Sequence, residues 1–327
     1  MPYQYKNQPI EILTQPIQWL EFERYQQDVA LNHRLNQEYD FTGSLCYLNH
    51  NDFFDPWLLA SQLVQKTGKK PLVAVNPAYH HPYIIARSAF TLSEMRKGPI
   101  ALNFIAGMAT TDLHQIGQML DKEARYKRLR EMMQVIRNYL YKKEPWTFEG
   151  EYYQIECTSF LGDVRYKPEF FVGGHSIYAQ QLVEQFETVW ARSLLPNDLT
   201  ESSHRPGLAL GFGIHIAENA EVAKQELRQK LSLDKTGEVL FRLKMSNTDA
   251  QWKQEQAKGL DDASLHPNYF PNTIQSQVNV PFLVGAESEL RQLVQRQFLD
   301  RGIRAFIIPM VDEAAYRMVR DLFSQVE

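Results

Sequence analysis

The chain has 327 residues, 44% hydrophobic and 12% aromatic, enough to bury a full-sized core as one large domain or two medium ones. Its formal charge of -4, with Lys and Arg scattered along the chain, leaves no polyanion-binding surface and makes nucleic acid an unexpected partner. Cys46 and Cys157 lie far apart without CxxC spacing, which argues against a disulfide framework or a cysteine-rich zinc site; with no leader-like start and no apolar run long enough for a membrane span, the expected compartment is the cytoplasm.

In chain order, Ile10 to Leu13 reads as a short strand, and Pro16 begins a helical stretch carrying Trp19, Phe22, Tyr25 and Val29 toward Asn36. Ser44 to Leu48 is a second strand. Asp55-Pro56 then supplies the N-cap and first position of a helix reaching Lys66, with Ala60, Leu63, Val64 and Thr67 as its core stripe. The third strand, Pro71 to Val75, runs into Asn76-Pro77 and a His80-His81 pair. Pro82 opens a helix with Ile85, Ala89 and Leu92 at helical spacing; Lys97-Gly98-Pro99 ends it and admits a dense apolar strand, Ile100 to Ala106, closed by Gly107 and a long polar loop.

Arg125 to Tyr141 is a long amphipathic helix whose Leu129, Met132, Met133, Ile136 and Leu140 form a core face. Trp146 to Ile155 alternates like a small strand pair around Gly150. Glu169 to Val172 is a compact fifth strand delivering Gly173-Gly174-His175-Ser176 to a helix ending near Phe186. Val189 to Arg192 is a short sixth strand and Leu208 to Ile216 a seventh, followed by a helix from Ala220 to Leu231. Ser232 to Val280 is polar and too long for a simple connection, so it is a lid insertion or a disordered excursion, and Leu240, Phe241, Leu243, Trp252 and Tyr269, as apolar anchors, favour the lid. A helix with Leu290, Leu293, Val294 and Phe298, an eighth strand from Ala305 to Ile308 and an amphipathic helix with Ala315, Met318, Val319, Leu322 and Phe323 close the chain. Eight strands alternating with helices imply a single α/β domain over 1–327, a (β/α)8 TIM barrel with residues 232–280 inserted between strands 7 and 8.

Chemistry in such a barrel sits where strands end. Glycines at a strand-to-helix turn let a phosphate approach free N–H groups at the positive end of a helix, so Gly173, Gly174, His175 and Ser176 form the best anion site; a tight turn alone also uses glycines. His80 and His81 follow the third strand, so at least one should border the barrel mouth; His81, and His215 on one face of the seventh strand with Gly211 and Gly213, are the candidate proton-handling residues, though a histidine before Pro82 could equally cap that helix. Asn103, on a buried strand, needs amide partners, from neighbouring backbone or from a ligand. Arg125 could be an ion-pair residue at a helix start.

The ordered run HP-x3-AR-x3-TL-x4-KG-x3-LN-x2-AG from His81 to Gly107, followed by Ala124-Arg125-Tyr126, resembles the bacterial-luciferase-like flavin monooxygenases. The alkanesulfonate monooxygenase branch is the nearest in motif. The similarity continues through Phe148–Ile155, Lys167–Ser176 and Gly302–Pro309, so it spans most of the chain. The resemblance implies FMN, taken as FMNH2 from a separate flavin reductase, O2 and a small-molecule organic substrate. It assigns the phosphate to Gly173–Ser176 and Tyr126, and the flavin ring to Asn103, Ala106 and Gly107. It also implies a symmetric homodimer through the second and third helices, which carry Trp57, Tyr83 and Ile84 beyond their inward stripes.

Several family positions differ. Ala106 stands where relatives carry threonine, Pro99 where they carry arginine, and Ile308-Pro309-Met310 where a tyrosine follows strand eight; the loop before Phe282, with its own arginine in relatives, is shortened. An ungapped match puts Gly211 and Gly213 where sulfonate-handling relatives carry an arginine and a histidine, a two-residue shift would let His215 replace the histidine, and the arginine is missing in either. A compact sulfonate needs such cationic donors. A roomier, less anionic pocket beside Gly211 and Gly213 is therefore expected, with a non-catalytic flavin-binding or partner-binding paralogue and a deazaflavin-dependent oxidoreductase as alternatives.

Overall fold

The computed structural model describes residues 3–17, 19, 21–48, 54–107, 109–158, 162–231, 266–271 and 280–324. Eight strands close a barrel in chain order: β1 (Glu11–Pro16), β2 (Gly43–Cys46), β3 (Lys70–Val75), β4 (Ala101–Phe104), β5 (Glu169–Gly173), β6 (Val189–Ser193), β7 (Leu208–Gly211) and β8 (Ala305–Met310). The described helices are α1 (Phe22–Glu38), α2 (Pro56–Thr67), α3 (Pro82–Arg96), the short α4 (Thr110–Gln115), α5 (Lys122–Tyr141), α6 (Ile177–Phe186), α7 (Ala220–Lys230), α8 (Glu287–Leu293) and α9 (Glu313–Ser324). Between β6 and β7 the alternation lapses, and the 3-10 turn Pro196–Leu199 replaces a helix. Two compact units divide the chain, Met1–Ser44 with Ala191–Glu327, and Leu45–Trp190.

In the Leu45–Trp190 unit, local chemistry sets the element boundaries. Asp55 accepts from the Trp57 and Leu58 amides, with Pro56 following it, and starts α2. Lys97, in a left-handed conformation, ends α3. Register places Leu72 beside Ala101 and Ala101 beside Glu169, then Ala74 beside Asn103 and Asn103 beside Phe171. The opposite face, Phe104 and Phe170, packs ring on ring at 4.9 Å, and the Arg137 guanidinium of α5 lies over Phe170. That face therefore looks toward the helices, and Asn103, Phe171 and Gly173 look into the barrel. The strand pair Trp146–Glu149 and Gln154–Cys157 is fastened to α5 by Glu131, whose buried carboxylate accepts from the amides of Glu151, Tyr152 and Tyr153 at 2.9, 2.9 and 3.2 Å. A side chain at Gly150 would strike that carboxylate.

In the other unit, β1, β7 and β8 pair in parallel, and Phe306 of β8 packs on Phe323 of α9 with centroids 4.9 Å apart. The expected continuous strand from Leu208 to Ile216 is broken. At Phe212 the chain turns its ring onto Phe298 and Phe306, and Gly213–Ile216 leaves β8 to pair with Phe282–Gly285. Tyr269–Phe270 joins the same side sheet antiparallel, and Phe270, Phe282 and Val284 form a small core with Ala223 and Leu227 of α7. Of the expected lid anchors, Tyr269 is buried here; Leu240, Phe241, Leu243 and Trp252 lie outside the described residues, as does most of the 232–280 stretch.

Candidate functional site

Within the Leu45–Trp190 unit, the ends of β3, β4 and β5 bring together most of the residues singled out above. Beyond β3, Asn76 folds its Oδ1 onto the Ala78 amide at 2.9 Å, and its amide nitrogen lies 3.0 Å from the position of a β-carbon on Gly107. Gly107 has φ +80°, a left-handed conformation that side chains disfavour, and Leu113 closes the same space at 3.1 Å. Its carbonyl receives Arg125 Nη2 at 3.5 Å, while Arg125 Nη1 donates to Leu120 O at 3.0 Å. Arg125 is thus buried and binds the loop after β4 to the start of α5 through carbonyls. Ala106, preceding Gly107 in the chain, is buried.

Asn103 carries the most informative feature. Its Oδ1 is buried and has no hydrogen-bond partner among the described residues. A β-carbon on Gly173 would lie 3.1 Å from that oxygen and 2.9 Å from Ile105 Cγ2, so only glycine leaves room at that point. A buried amide acceptor without a partner is unfavourable by about 1–3 kcal/mol, and such groups are rare unless a ligand completes them.

Past β5 the chain forms a cradle. Gly174 has φ +127°, and a β-carbon there would lie 3.1 Å from Tyr126 Oη. Tyr126, the fifth residue of α5, stacks on Tyr178 of α6 with centroids 5.5 Å apart. Ser176 is the N-cap of α6, its Oγ accepting from the Ala179 amide at 3.2 Å, which leaves the hydroxyl hydrogen as a donor. His175 is half-buried between Gly174 and Ser176. The Trp190 indole N–H donates to the Gly174 carbonyl at 2.6 Å. Gly173 to Ser176 and Tyr126 therefore surround one helix start, whose dipole favours an anion.

The histidines separate. His81 is exposed and caps α3, its Nδ1 accepting from the Tyr83 amide at 3.2 Å. His80 is the half-buried member: its Nδ1 has no partner among the described residues, and burial pushes its ring below the usual imidazole range, with Asp55 opposing. Of the two, His81 stands directly before Pro82 and takes the cap, which leaves His80 as the buried member. His215 belongs to the other unit, where its Nε2 lies 2.9 Å from Glu226 Oε2 of α7. The expected free volume at Gly213 is not there, because the Phe282 ring occupies the space a β-carbon would need.

A family model of luciferase-like monooxygenases matches residues 37–297. The chain belongs to that family. This luciferase-like monooxygenase is 28% identical over 288 residues, 84% of either chain, to the 4-(gamma-L-glutamylamino)butanoyl-(BtrI acyl-carrier protein) monooxygenase BtrO of Niallia circulans. A shorter match, 27% over 114 residues and 35% of this chain and 31% of the relative, links it to the FMNH(2)-dependent dimethylsulfone monooxygenase of Pseudomonas fluorescens. Its fold is that of the oxygenating constituent of 3,6-diketocamphane monooxygenase from Pseudomonas putida, solved with FMN (TM-score 0.69, 16% identity, 97% of both chains). It is also that of an F420-dependent secondary alcohol dehydrogenase (TM-score 0.66, 16% identity, 98% of both chains). The luciferase-like monooxygenase is accordingly a flavin-dependent oxidoreductase on an eight-stranded barrel.

Proposed function

We propose that this enzyme is the oxygenating component of a two-component cytoplasmic system, which takes reduced FMN from a separate reductase and uses O2 to oxidise an organic substrate. The observation that carries the proposal is the partnerless Asn103 Oδ1 held open by Gly173. Reduced FMN would supply two electrons, so that one oxygen atom of O2 enters the substrate and the other leaves as water.

The protein's part is binding, orientation and proton handling. Gly174, His175 and Ser176 receive the phosphate at the start of α6, with Tyr126 Oη beside them, and Asn103, Ala106 and Gly107 border the ring. Asn103 Oδ1 can only accept a hydrogen bond, which suits a ring N–H. His80, kept neutral by burial, is suited to accept a proton near neutral pH.

A bulky acyl substrate fits better than a small sulfonate, since the relative covering 84% of this chain is named for a carrier-protein-borne acyl group. The exposed Leu58, Tyr83 and Ile84 on α2 and α3 support pairing of two copies through those helices. Anaerobic titration with reduced FMN, set against aerobic titration with oxidised FMN, tests the cofactor reading. Tighter binding of the reduced form is the expected result; tight retention of the oxidised form would point to a flavoprotein of another kind, and binding of neither would end the proposal.

A further inference from the structure

The Trp190 indole N–H meets the Gly174 carbonyl at 2.6 Å, sixteen residues away in the chain and on the next strand of the barrel. Nothing in the proposed cofactor reading requires a tryptophan on β6. A trans peptide points its C=O and the following N–H in opposite directions, so fixing the Gly174 oxygen on the indole also fixes the direction of the His175 N–H. Gly174 is where such fixing matters. Its φ of +127° lies in a region that glycine enters freely and leaves as freely, and a β-carbon there would meet Tyr126 Oη at 3.1 Å and Ala179 Cβ at 3.7 Å. The indole bond restrains this peptide at its carbonyl, and removing it takes away that restraint on the donor direction.

We propose that Trp190 is a positioning residue for the anion cradle, orienting the Gly174–His175 peptide so that its N–H is set toward a bound phosphate before the phosphate arrives. This inference rests on the reading of Gly173 to Ser176 as the flavin phosphate site. The indole touches neither the phosphate nor the ring; it acts through one carbonyl. Preorganised donors improve binding because ordering need not occur on association, and the loss should fall on the phosphate alone.

The test compares FMN with riboflavin, which is the same flavin without its phosphate, on the full-length protein by equilibrium fluorescence titration. Wild type should bind FMN more tightly than riboflavin. Trp190→Phe, which keeps an aromatic ring and removes the donor, should lower FMN affinity about three- to tenfold, the range expected for one hydrogen bond, and leave riboflavin affinity unchanged. A residue that only supports packing would lower both together. Should Trp190→Phe not fold, benzothienylalanine introduced at position 190, which replaces the indole N–H by sulfur in nearly the same shape, carries the same comparison.

Equal binding of FMN and riboflavin by wild type would overturn the phosphate site itself, and Trp190 with it. A preserved FMN preference in the folded Trp190 variant or analogue would overturn the role of Trp190 and leave the phosphate site standing. Parallel loss of both ligands would also overturn it.

Discussion

Asn103 Oδ1 lies 3.1 Å from the point where a β-carbon on Gly173 would sit, so two residues on adjacent strands leave one buried acceptor uncovered between them. Replacing Asn103 by Leu removes that unpartnered oxygen. Without ligand the variant should be as stable as wild type or more so, while its flavin affinity falls about tenfold. Gly173→Ala should do the reverse to stability, costing about 1–3 kcal/mol from overpacking on Ile105, and should also weaken flavin. Thermal unfolding with and without FMN separates the two; a destabilised ligand-free Asn103→Leu protein would show that the oxygen was already satisfied.

The two adjacent histidines should respond differently. His80 has its folded-state pKa depressed by burial, so its contribution is present above the unfolded value of 6.5 and is lost as pH falls from there through the folded value. Urea unfolding at stepped pH should show this acid-side decline in wild type and a shallower one in His80→Gln. His81→Ala should instead remove a cap and cost about 1 kcal/mol at neutral pH, and His81→Asn should restore most of it.

Asp198 joins the turn after β6 to that strand through a buried pair with Arg192, both contacts at 2.7 Å. Burial opposes its ionisation, but Arg192, the Leu195 amide and Arg205 outweigh it and hold the carboxyl below its ordinary 3.8. The pair's contribution is therefore complete above about pH 4 and is lost as pH falls through the folded value. Asp198→Asn should cost about 3–5 kcal/mol at neutral pH, because the buried Arg192 loses its carboxylate partner, and should flatten the acid limb. The double variant Arg192→Met with Asp198→Leu should be less harmed than Asp198→Asn; chemical denaturation of the three proteins settles the ordering.

Leu58 is 64% and Ile84 48% exposed, on neighbouring helices of one unit. If copies pair through this face, wild type should sediment as a dimer at micromolar concentration and Leu58→Glu with Ile84→Glu as a folded monomer. A monomeric wild type would remove the basis for pairing.

Gly213 and His215 lie in register with Phe282 and Val284, which pack on Ala223 and Leu227 of α7. Gly213→Ala should thus cost about 1–3 kcal/mol through collision with the Phe282 ring, and His215→Ala should leave flavin affinity unchanged. Short alkanesulfonates should be poor substrates, since neither Gly211 nor Gly213 offers a cationic donor to a compact anion; efficient desulfonation by wild type would contradict this.

Much of the fold is written locally. The Asp55-Pro56 start, the Lys97-Gly98 stop, the apolar run of β4 and the stripe of α5 each depend on residues within a few positions of one another; the structure has all four elements, with β4 shorter than its apolar run and α5 starting three residues earlier, behind the Asp121 cap. Gly173-Gly174 at a strand-to-helix turn was equally visible, because conformational freedom is a property of the residue itself. The tertiary structure alone decided the rest. It chose His80 over His81 for burial, put the Phe282 ring into the space beside Gly213, split the seventh strand at Phe212, left Asn103 Oδ1 uncovered and brought Trp190 to Gly174. Each of these is a matter of which distant side chain fills or fails to fill a given space. Helical and strand periodicity specifies the direction in which a residue points, but the neighbour it meets there comes from another element of the chain.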